Sequence, residues 1–236
     1  MTAGLATLGA IWGSFAGALC SRWPDGRSIT RGRSHCDSCG AQIAPYDLIP
    51  IISFLLLKGK CRSCGSPFTV GTELIGLCIG ATAALFFPPA QALSVAMFGW
   101  FLLPLAILDF RHLWLPNRLL GLLLVVGILF APLWDSGISW TDRAIGGIAG
   151  FATLEIVRQL YRLVRRKEGM GAGDPKLLGV LGVWLGWQLL PMTVLIASFL
   201  GLATALLSGH RKEQESMEYP LGTFLAVAAY IAVFLP

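Results

Sequence analysis

Long apolar stretches recur along almost the whole chain. A helix that crosses a bilayer needs roughly 17–25 mostly apolar residues, and eight stretches approach or reach that length. They are Thr2–Cys20, Leu74–Pro88, Ala90–Leu108, Leu119–Trp134, Ala144–Val164, Pro175–Leu189, Leu190–Ser208 and Pro220–Leu235. With 55% hydrophobic and only 13% charged residues among 236, the sequence predicts an all-α polytopic membrane protein of about eight transmembrane helices.

The basic residues fall on one side of this predicted topology. If the N-terminus lies outside, every Lys and Arg except Arg143 falls in an inward-facing loop. Cytoplasmic loops of membrane proteins carry such an excess of basic residues. The first apolar stretch lacks the basic segment that precedes a cleaved signal peptide, so we expect a retained first helix. The net charge of +5 then reflects topology, and the expected partner is the lipid bilayer and not nucleic acid.

Two Cys-x-x-Cys pairs lie in the polar segment that follows the first helix. They are Cys36 with Cys39 and Cys61 with Cys64. Their separation is close to that of a zinc ribbon, and four thiolates around one zinc ion would let a short segment fold without its own core. Two disulfides or four free thiols are the alternatives, and a reducing cytoplasm disfavours disulfides. We therefore predict a structural zinc module over residues 21–73, between a first helix at 1–20 and a transmembrane core at 74–236.

Two carboxylates lie at the edges of apolar helices, where a charge is costly and requires a reason. Asp109 falls at the C-terminal end of the third stretch, where it opposes the helix dipole, and Asp174 begins the sixth. Helix parity puts both at the cytoplasmic level, which makes them a candidate acid/base pair. The alternatives are an interfacial ion pair between Asp109 and Arg111, and an N-cap at Asp174 with Pro175 at the first helical position.

The chemistry open to such a pair is that of an aspartic protease. Close carboxylates share a proton and titrate together, so one can activate water while the other polarises a carbonyl. Glycines at Gly169, Gly171 and Gly173 would let a peptide backbone approach Asp174, or would simply link two helices. A transporter or channel with the aspartates as an ion or proton site is the competing hypothesis, although such sites usually lie near the membrane midplane.

The remaining features of the apolar stretches predict structural roles. Small residues repeat at four-residue spacing, which is typical of helix packing faces. The repeats are Gly9 with Gly13 and Gly17, Gly76 with Gly80, Gly146 with Gly150, and Gly182 with Gly186. Glu155 precedes Arg158 by three residues, which predicts an ion pair on one helix face.

These motifs together resemble the prepilin peptidases (type IV leader peptidases), of the Gly-x-Gly-Asp group of membrane aspartic proteases. The resemblance extends over essentially the whole chain. Besides both cysteine pairs, its residues are Gly13-Ser14-Phe15, Arg22-Trp23-Pro24, Ile49-Pro50, Gly59-Lys60, Glu73, Leu108-Asp109, Leu115-Pro116-Asn117, and Gly169 through Asp174 with Lys176-Leu177. The resemblance implies that Asp109 and Asp174 are catalytic, and we expect Gly171, Gly173 and Lys176 to contact the substrate.

The same resemblance implies a substrate and a location. Such enzymes remove short basic leader peptides from type IV prepilins or type II secretion pseudopilins, after a glycine, at the cytoplasmic face of the bacterial inner membrane. Many relatives also methylate the new N-terminal amine with S-adenosylmethionine, an activity associated with the zinc-bearing loop. No methyl-donor site is visible in this sequence.

Two positions depart from the usual family pattern. The family usually has an asparagine where this chain has Gly17, a difference that bears on methylation. It often reads Pro-Phe-Gly-Pro where this chain reads Pro220-Leu221-Gly222-Thr223. We expect neither difference to touch the two aspartates.

Overall fold

The computed structural model describes residues 2–27, 34–36, 38–48, 52–134, 137–167, 169–207 and 219–235. Within these ranges the chain forms helices, and the only β-structure is two isolated bridges. The helices are α1 (Thr2–Arg22), α2 (Ile52–Leu56), α3 (Gly71–Phe86), α4 (Pro89–His112), α5 (Asn117–Trp134), α6 (Trp140–Arg165), α7 (Gly173–Leu207) and α8 (Leu221–Ala232), with a 3-10 helix at Pro45–Leu48. The predicted all-α fold is confirmed. Ser208, the last residue of the seventh predicted stretch, lies outside the described residues.

The chain divides into two compact units, Met1–Ala96 and Met97–Pro236. In the first unit, α1 packs directly on α3. If Gly76 carried a Cβ atom, that atom would lie 3.0 Å from the carbonyl carbon of Gly9 and 3.2 Å from the Cα of Gly13. Only glycines permit two helix backbones to approach this closely. The predicted packing face of the first helix is therefore confirmed.

In the second unit, α7 packs against α5, α6 and α8. Its backbone comes very close to that of α6. A Cβ atom on Gly182 would lie only 2.8 Å from the backbone nitrogen of Gly147. The predicted packing stripes of these two helices thus face one another. Phe98 of α4 also packs its ring on Trp184, with centroids 4.6 Å apart.

Helix α7 turns back on itself at Gly186, where φ is 72° and ψ is 170°. Leu178 and Leu190 would be about 18 Å apart along a straight helix. Yet a side chain on Gly150 would lie 2.7 Å from the Leu178 carbonyl oxygen and 3.2 Å from Leu190 Cδ1. The helix therefore consists of two arms, which correspond to the predicted sixth and seventh stretches, and the break comes just before the predicted boundary at Leu189.

Among the described residues, four helices are long and apolar enough to cross a membrane: α1, α4, α5 and α7. Large apolar side chains also cover the outside of the helices, including Leu129 at 64%, Ile148 at 73% and Phe199 at 70% exposed. Soluble proteins rarely expose apolar surface on this scale. The helices therefore present their apolar faces outward, as a bilayer requires.

A buried arginine donates hydrogen bonds to the backbone at the break in α7. Arg143 is only 1% exposed, and its guanidinium donates to the carbonyl oxygens of Val183 at 3.2 Å, Trp184 at 2.6 Å and Ala131 at 3.1 Å. These carbonyls belong to the end of the first α7 arm and the last turn of α5, and such terminal carbonyls lack helical partners. A cation there also favours the dipoles of both helices. Arg143, the one basic residue outside the predicted inward loops, is thus a structural residue.

Replacing Arg143 by methionine should destabilise the second unit. The change leaves buried carbonyl oxygens without donors, at roughly 1–3 kcal/mol for each, so the unfolding midpoint in detergent should fall clearly. The matched control is Arg165→Met, because Arg165 is exposed in the last turn of α6. Equal unfolding midpoints for the two variants would contradict a helix-capping role for Arg143.

Candidate active site and metal centre

The two predicted catalytic carboxylates are both buried at helix ends. Asp109 lies in the last turn of α4 and is 4% exposed, and Asp174 lies in the first turn of α7 and is 6% exposed. Because α7 begins at Gly173, Asp174 is inside its first turn and not at the predicted N-cap position. A negative charge there is favoured by the dipole of α7, whereas the charge of Asp109 is disfavoured by that of α4.

The first turn of α8 compensates for the unfavourable position of Asp109. Thr223 donates its backbone N–H to Asp109 Oδ2 at 2.6 Å and its hydroxyl to the same oxygen at 3.0 Å. Gly222 lies against the carboxyl group, since a side chain on it would come within 3.0 Å of Asp109 Cγ. The free N–H groups and positive dipole end of α8 therefore face the carboxylate, an arrangement that favours bound anions.

This contact corrects the expectation that the departure at Pro220–Thr223 leaves the aspartates untouched. Thr223 is bonded directly to Asp109, although 114 residues separate them along the chain. No local signal in the sequence marks the contact, because it depends on where α8 meets α4. The alternative of an ion pair between Asp109 and Arg111 gains no support, since the described residues include no salt bridge to Asp109.

Leu115 lies against the backbone beside each of the two aspartates. A side chain on Gly173, next to Asp174, would lie 2.6 Å from Leu115 Cβ, and one on Gly222, beside Asp109, would lie 2.8 Å from Leu115 Cδ1. The ends of α4, α7 and α8 thus form one buried acidic site in the second unit.

The residues predicted to contact substrate lie beside Asp174. A side chain on Gly171 would come 3.4 Å from Asp174 Oδ2, which is an ordinary contact distance, so the backbone at Gly171 borders the carboxylate. The ammonium group of Lys176, which is exposed, donates a hydrogen bond to Asn117 Oδ1 at 2.9 Å. Glu155 and Arg158 form the predicted ion pair, at 2.8 Å. The roles of Gly171, Gly173 and Lys176 toward a substrate stay predictions.

The four predicted metal ligands lie together in the first unit. The sulfur atoms of Cys36, Cys39, Cys61 and Cys64 all lie within 4.8 Å of one another, and all four are free thiols. Cys36 Sγ and Cys64 Sγ are 3.9 Å apart, close to the roughly 3.8 Å that tetrahedral Zn–S bonds of about 2.3 Å would impose. The cluster can hold a metal ion, and none of the four cysteines forms a disulfide in this structure.

The two cysteine pairs repeat one local structure. In the first, Cys36 N–H donates to Ala41 O at 2.9 Å and Gly40 N–H to Cys36 O at 2.9 Å. In the second, the corresponding bonds join Cys61 to Ser66 at 2.8 Å and Gly65 to Cys61 at 2.9 Å. The glycine that follows each pair has φ near 70°, a conformation that glycine adopts readily. Each pair is therefore a tight turn that aims two sulfur atoms at one point.

Ser66 favours the thiolate form that a metal requires. Its hydroxyl lies 3.0 Å from Cys64 Sγ and 3.6 Å from Cys36 Sγ. Hydrogen bonding to Ser66 lowers the pKa of Cys36 to about 6 and also lowers the pKa of Cys64. Since thiolates and not thiols bind metals, the lowered pKa of Cys36 and of Cys64 favours metal binding, whereas hydrogen bonding within the cluster raises the pKa of Cys39 to about 11.

A cavity of about 410 Å³ lies beside the cysteine cluster within the first unit. Its walls include the aromatic rings of Phe54 and Phe68, which meet edge to face at 5.6 Å, and the carboxylates of Asp47 and Glu73. Arg62 binds Asp47 through two hydrogen bonds, at 2.7 and 3.0 Å. Glu73 has no basic partner within salt-bridge distance among the described residues. The cavity has the size and mixed lining of a small-molecule site.

The fold and the site define a membrane-type helical protein with a buried aspartate pair and a four-cysteine centre. The profile of the Type IV leader peptidase family matches residues 96–206, and that of the Bacterial Peptidase A24 N-terminal domain matches residues 7–88. The chain belongs to the type IV leader peptidase family, and the resemblance seen in its sequence motifs is confirmed.

Several curated proteins are similar over most of their length, and each is named prepilin leader peptidase/N-methyltransferase. The protein from Aeromonas hydrophila is 36% identical over 209 residues, which cover 85% of this chain and 71% of the relative. The protein from Burkholderia pseudomallei strain 1026b is 38% identical, with 86% and 67% covered. That from Pseudomonas aeruginosa is 37% identical, with 85% and 70% covered. No solved structure matches the chain.

Replacing Cys36 by serine should abolish stoichiometric metal binding. The purified parent chain should carry one divalent metal ion, measured by elemental mass spectrometry, and Cys36→Ser should carry almost none because a tetrahedral centre needs all four ligands. Cys78→Ser is the matched control, since Cys78 lies in α3 outside the cluster. Full metal content in Cys36→Ser would contradict a four-cysteine centre.

Proposed function

We propose that the protein is a membrane aspartic endopeptidase that removes the leader peptide of type IV prepilins or type II secretion pseudopilins. The observation that carries this proposal is the buried pair of Asp109 and Asp174, whose neighbours Gly222 and Gly173 both lie against Leu115. Membership of the type IV leader peptidase family and the names of the relatives support the same activity.

The chemistry requires only the two aspartates and a water molecule. Asp109 and Asp174 share one proton, because neighbouring buried carboxylates cannot both ionise. The ionised carboxylate removes a proton from water, which attacks the scissile carbonyl carbon, while the protonated carboxyl donates to the carbonyl oxygen. Collapse of the tetrahedral intermediate breaks the C–N bond, and the departing amine receives a proton from the pair.

The substrate segment would approach along the glycine-rich stretch that precedes Asp174. Gly171 leaves its backbone open beside the Asp174 carboxylate, and Lys176 projects on the exposed side of the same helix end. We assign Gly171, Gly173 and Lys176 to substrate contact on this ground. The location we propose is the bacterial inner membrane, with the N-terminus outside and the site at the cytoplasmic face, as the distribution of basic residues favours.

A second activity, N-methylation of the new amine, is favoured by the cavity in the first unit. S-adenosylmethionine supplies an electrophilic methyl group to a free amine. The cavity of about 410 Å³ fits such a donor, because Phe54 and Phe68 offer aromatic surface to its purine and Glu73 offers a carboxylate to its positive charge. We propose zinc as the ion of the neighbouring cysteine centre, where it would fix the wall of the cavity.

The competing hypothesis of a transporter or channel is less well supported. Both aspartates lie in terminal helical turns, whereas transporter sites are typically formed near the middle of the membrane by broken helices. The break in α7 lies at Gly186, twelve residues from Asp174, and Arg143 fills it.

The test is cleavage of a purified prepilin by the full chain in detergent, followed by mass spectrometry of the product. The parent should release the leader, and with S-adenosylmethionine present the new N-terminus should gain one methyl group. Asp109→Asn and Asp174→Asn should each slow single-turnover cleavage by roughly 10²–10⁴-fold, the usual contribution of a general acid or base.

Asp25→Asn is the matched control for this assay. Asp25 is an exposed residue paired with Arg27 in the first unit, so its loss should leave the cleavage rate unchanged. Cleavage at the parental rate by either Asp109→Asn or Asp174→Asn would exclude the aspartic mechanism. Absence of cleavage by the parent would exclude the peptidase function for the substrate tested.

A further inference from the structure

Thr223 contacts the Asp109 carboxyl group through two different donors. Its backbone N–H lies 2.6 Å and its hydroxyl 3.0 Å from the same oxygen, Oδ2. The two groups approach from the first turn of α8, so the carboxylate is tied to a second helix as well as to its own. Thr223 itself is not among the residues predicted to form the site.

The hydroxyl of Thr223 is itself held in place. It lies 3.0 Å from the carbonyl oxygen of Ala106, one turn before Asp109 on α4. A hydroxyl has a single proton, so it can bridge the α4 backbone and the carboxylate only through one shared, three-centre hydrogen bond, a type that is common at helix ends. This bridge fixes the side-chain rotamer of Thr223 and therefore the direction from which it meets Oδ2.

The backbone of Gly222 restricts the carboxyl group further. A Cβ atom on Gly222 would lie 3.0 Å from both Cγ and Oδ2 of Asp109, so the backbone of Gly222 lies close against the carboxyl group. The donors to Oδ2 and the close backbone of Gly222 leave the carboxyl group little freedom to rotate. The two oxygens of Asp109 are consequently in different environments.

We propose that Thr223 is a positioning residue that anchors Oδ2 of Asp109 as a fixed acceptor and leaves Oδ1 to exchange the catalytic proton with water and Asp174. This proposal rests on the proposed peptidase function. An acceptor bonded to two donors keeps its lone pairs engaged in both protonation states, so the proton of a protonated Asp109 resides on Oδ1. A fixed reactive oxygen matters because a misplacement of about 1 Å can cost a hundredfold in rate.

The test compares Thr223→Val with Thr223→Ser in the prepilin cleavage assay. Valine keeps the shape and the backbone N–H but lacks the hydroxyl, whereas serine keeps the hydroxyl and lacks the methyl group. We expect Thr223→Val to lower kcat roughly 10- to 100-fold, the range for one hydrogen bond to a charged group, with KM unchanged. Thr223→Ser should retain a kcat close to the parental value. Thr153→Val is the matched control, since the Thr153 hydroxyl bonds only its own helix in α6, at Ala149 O.

A second measurement does not depend on cleavage. The infrared carboxyl band of Asp109, identified by its loss in Asp109→Asn, should shift in Thr223→Val and stay in place in Thr223→Ser. A parent chain that does not cleave prepilin but shows this shift would refute the proposed function and leave the anchoring contact standing.

Three outcomes would overturn the proposal. They are an unmoved infrared band in Thr223→Val, an equal loss of kcat in the valine and serine variants, and an effect of valine confined to KM. Equal loss in both variants would show that the hydroxyl is not the deciding group, because serine keeps it.

Discussion

A carboxylate buried at the C-terminal end of an apolar helix is the constraint around which the second unit is arranged. The dipole of α4 repels the charge of Asp109, and burial removes the water that would otherwise solvate it. The first turn of α8 compensates for both effects, because the backbone N–H and the hydroxyl of Thr223 donate hydrogen bonds to the carboxylate. α8 in turn packs on α7, whose first turn carries Asp174. The ends of three helices therefore meet around the two aspartates, and the end of α8 compensates the charge of Asp109.

The same principle operates at the break in α7. There the exposed groups are carbonyl oxygens and the compensating group is the buried guanidinium of Arg143. Because a bilayer offers no hydrogen-bond partners to such groups, the protein must satisfy them internally. At the reversal of α7 near Gly186, the guanidinium of Arg143 meets this requirement.

Much of the fold could be predicted because apolar length and glycine spacing are local properties of the sequence. The stripes at Gly76 and Gly182 mark real helix contacts, and the two cysteine turns follow from spacing and from the glycine after each pair. The boundary inside α7 was harder to predict, since Gly186 is one glycine among several and Leu189 is equally apolar. The start of α7 at Gly173 instead of Pro175 likewise lies within the one or two residues by which helix ends shift.

The candidate site could be predicted only in part. Asp109 and Asp174 stand out in sequence because carboxylates are rare beside apolar helices. Thr223 does not stand out, because a threonine in an apolar helix normally bonds its own backbone, as Thr193 does. Its contact with Asp109 arises from tertiary packing across 114 residues. The cavity beside the cysteine cluster could not be predicted from the sequence for the same reason, since its walls come from separate parts of the first unit.

The central claim is that the two aspartates act as one unit, and a double-mutant cycle on single-turnover cleavage tests it most directly. If the carboxylates share one proton and one water, the variant lacking both should cleave prepilin no more slowly than the slower single variant, within about threefold, because residues that act together are strongly non-additive. If the losses of Asp109→Asn and Asp174→Asn multiply in the double variant, the two carboxylates act independently and the paired mechanism is wrong.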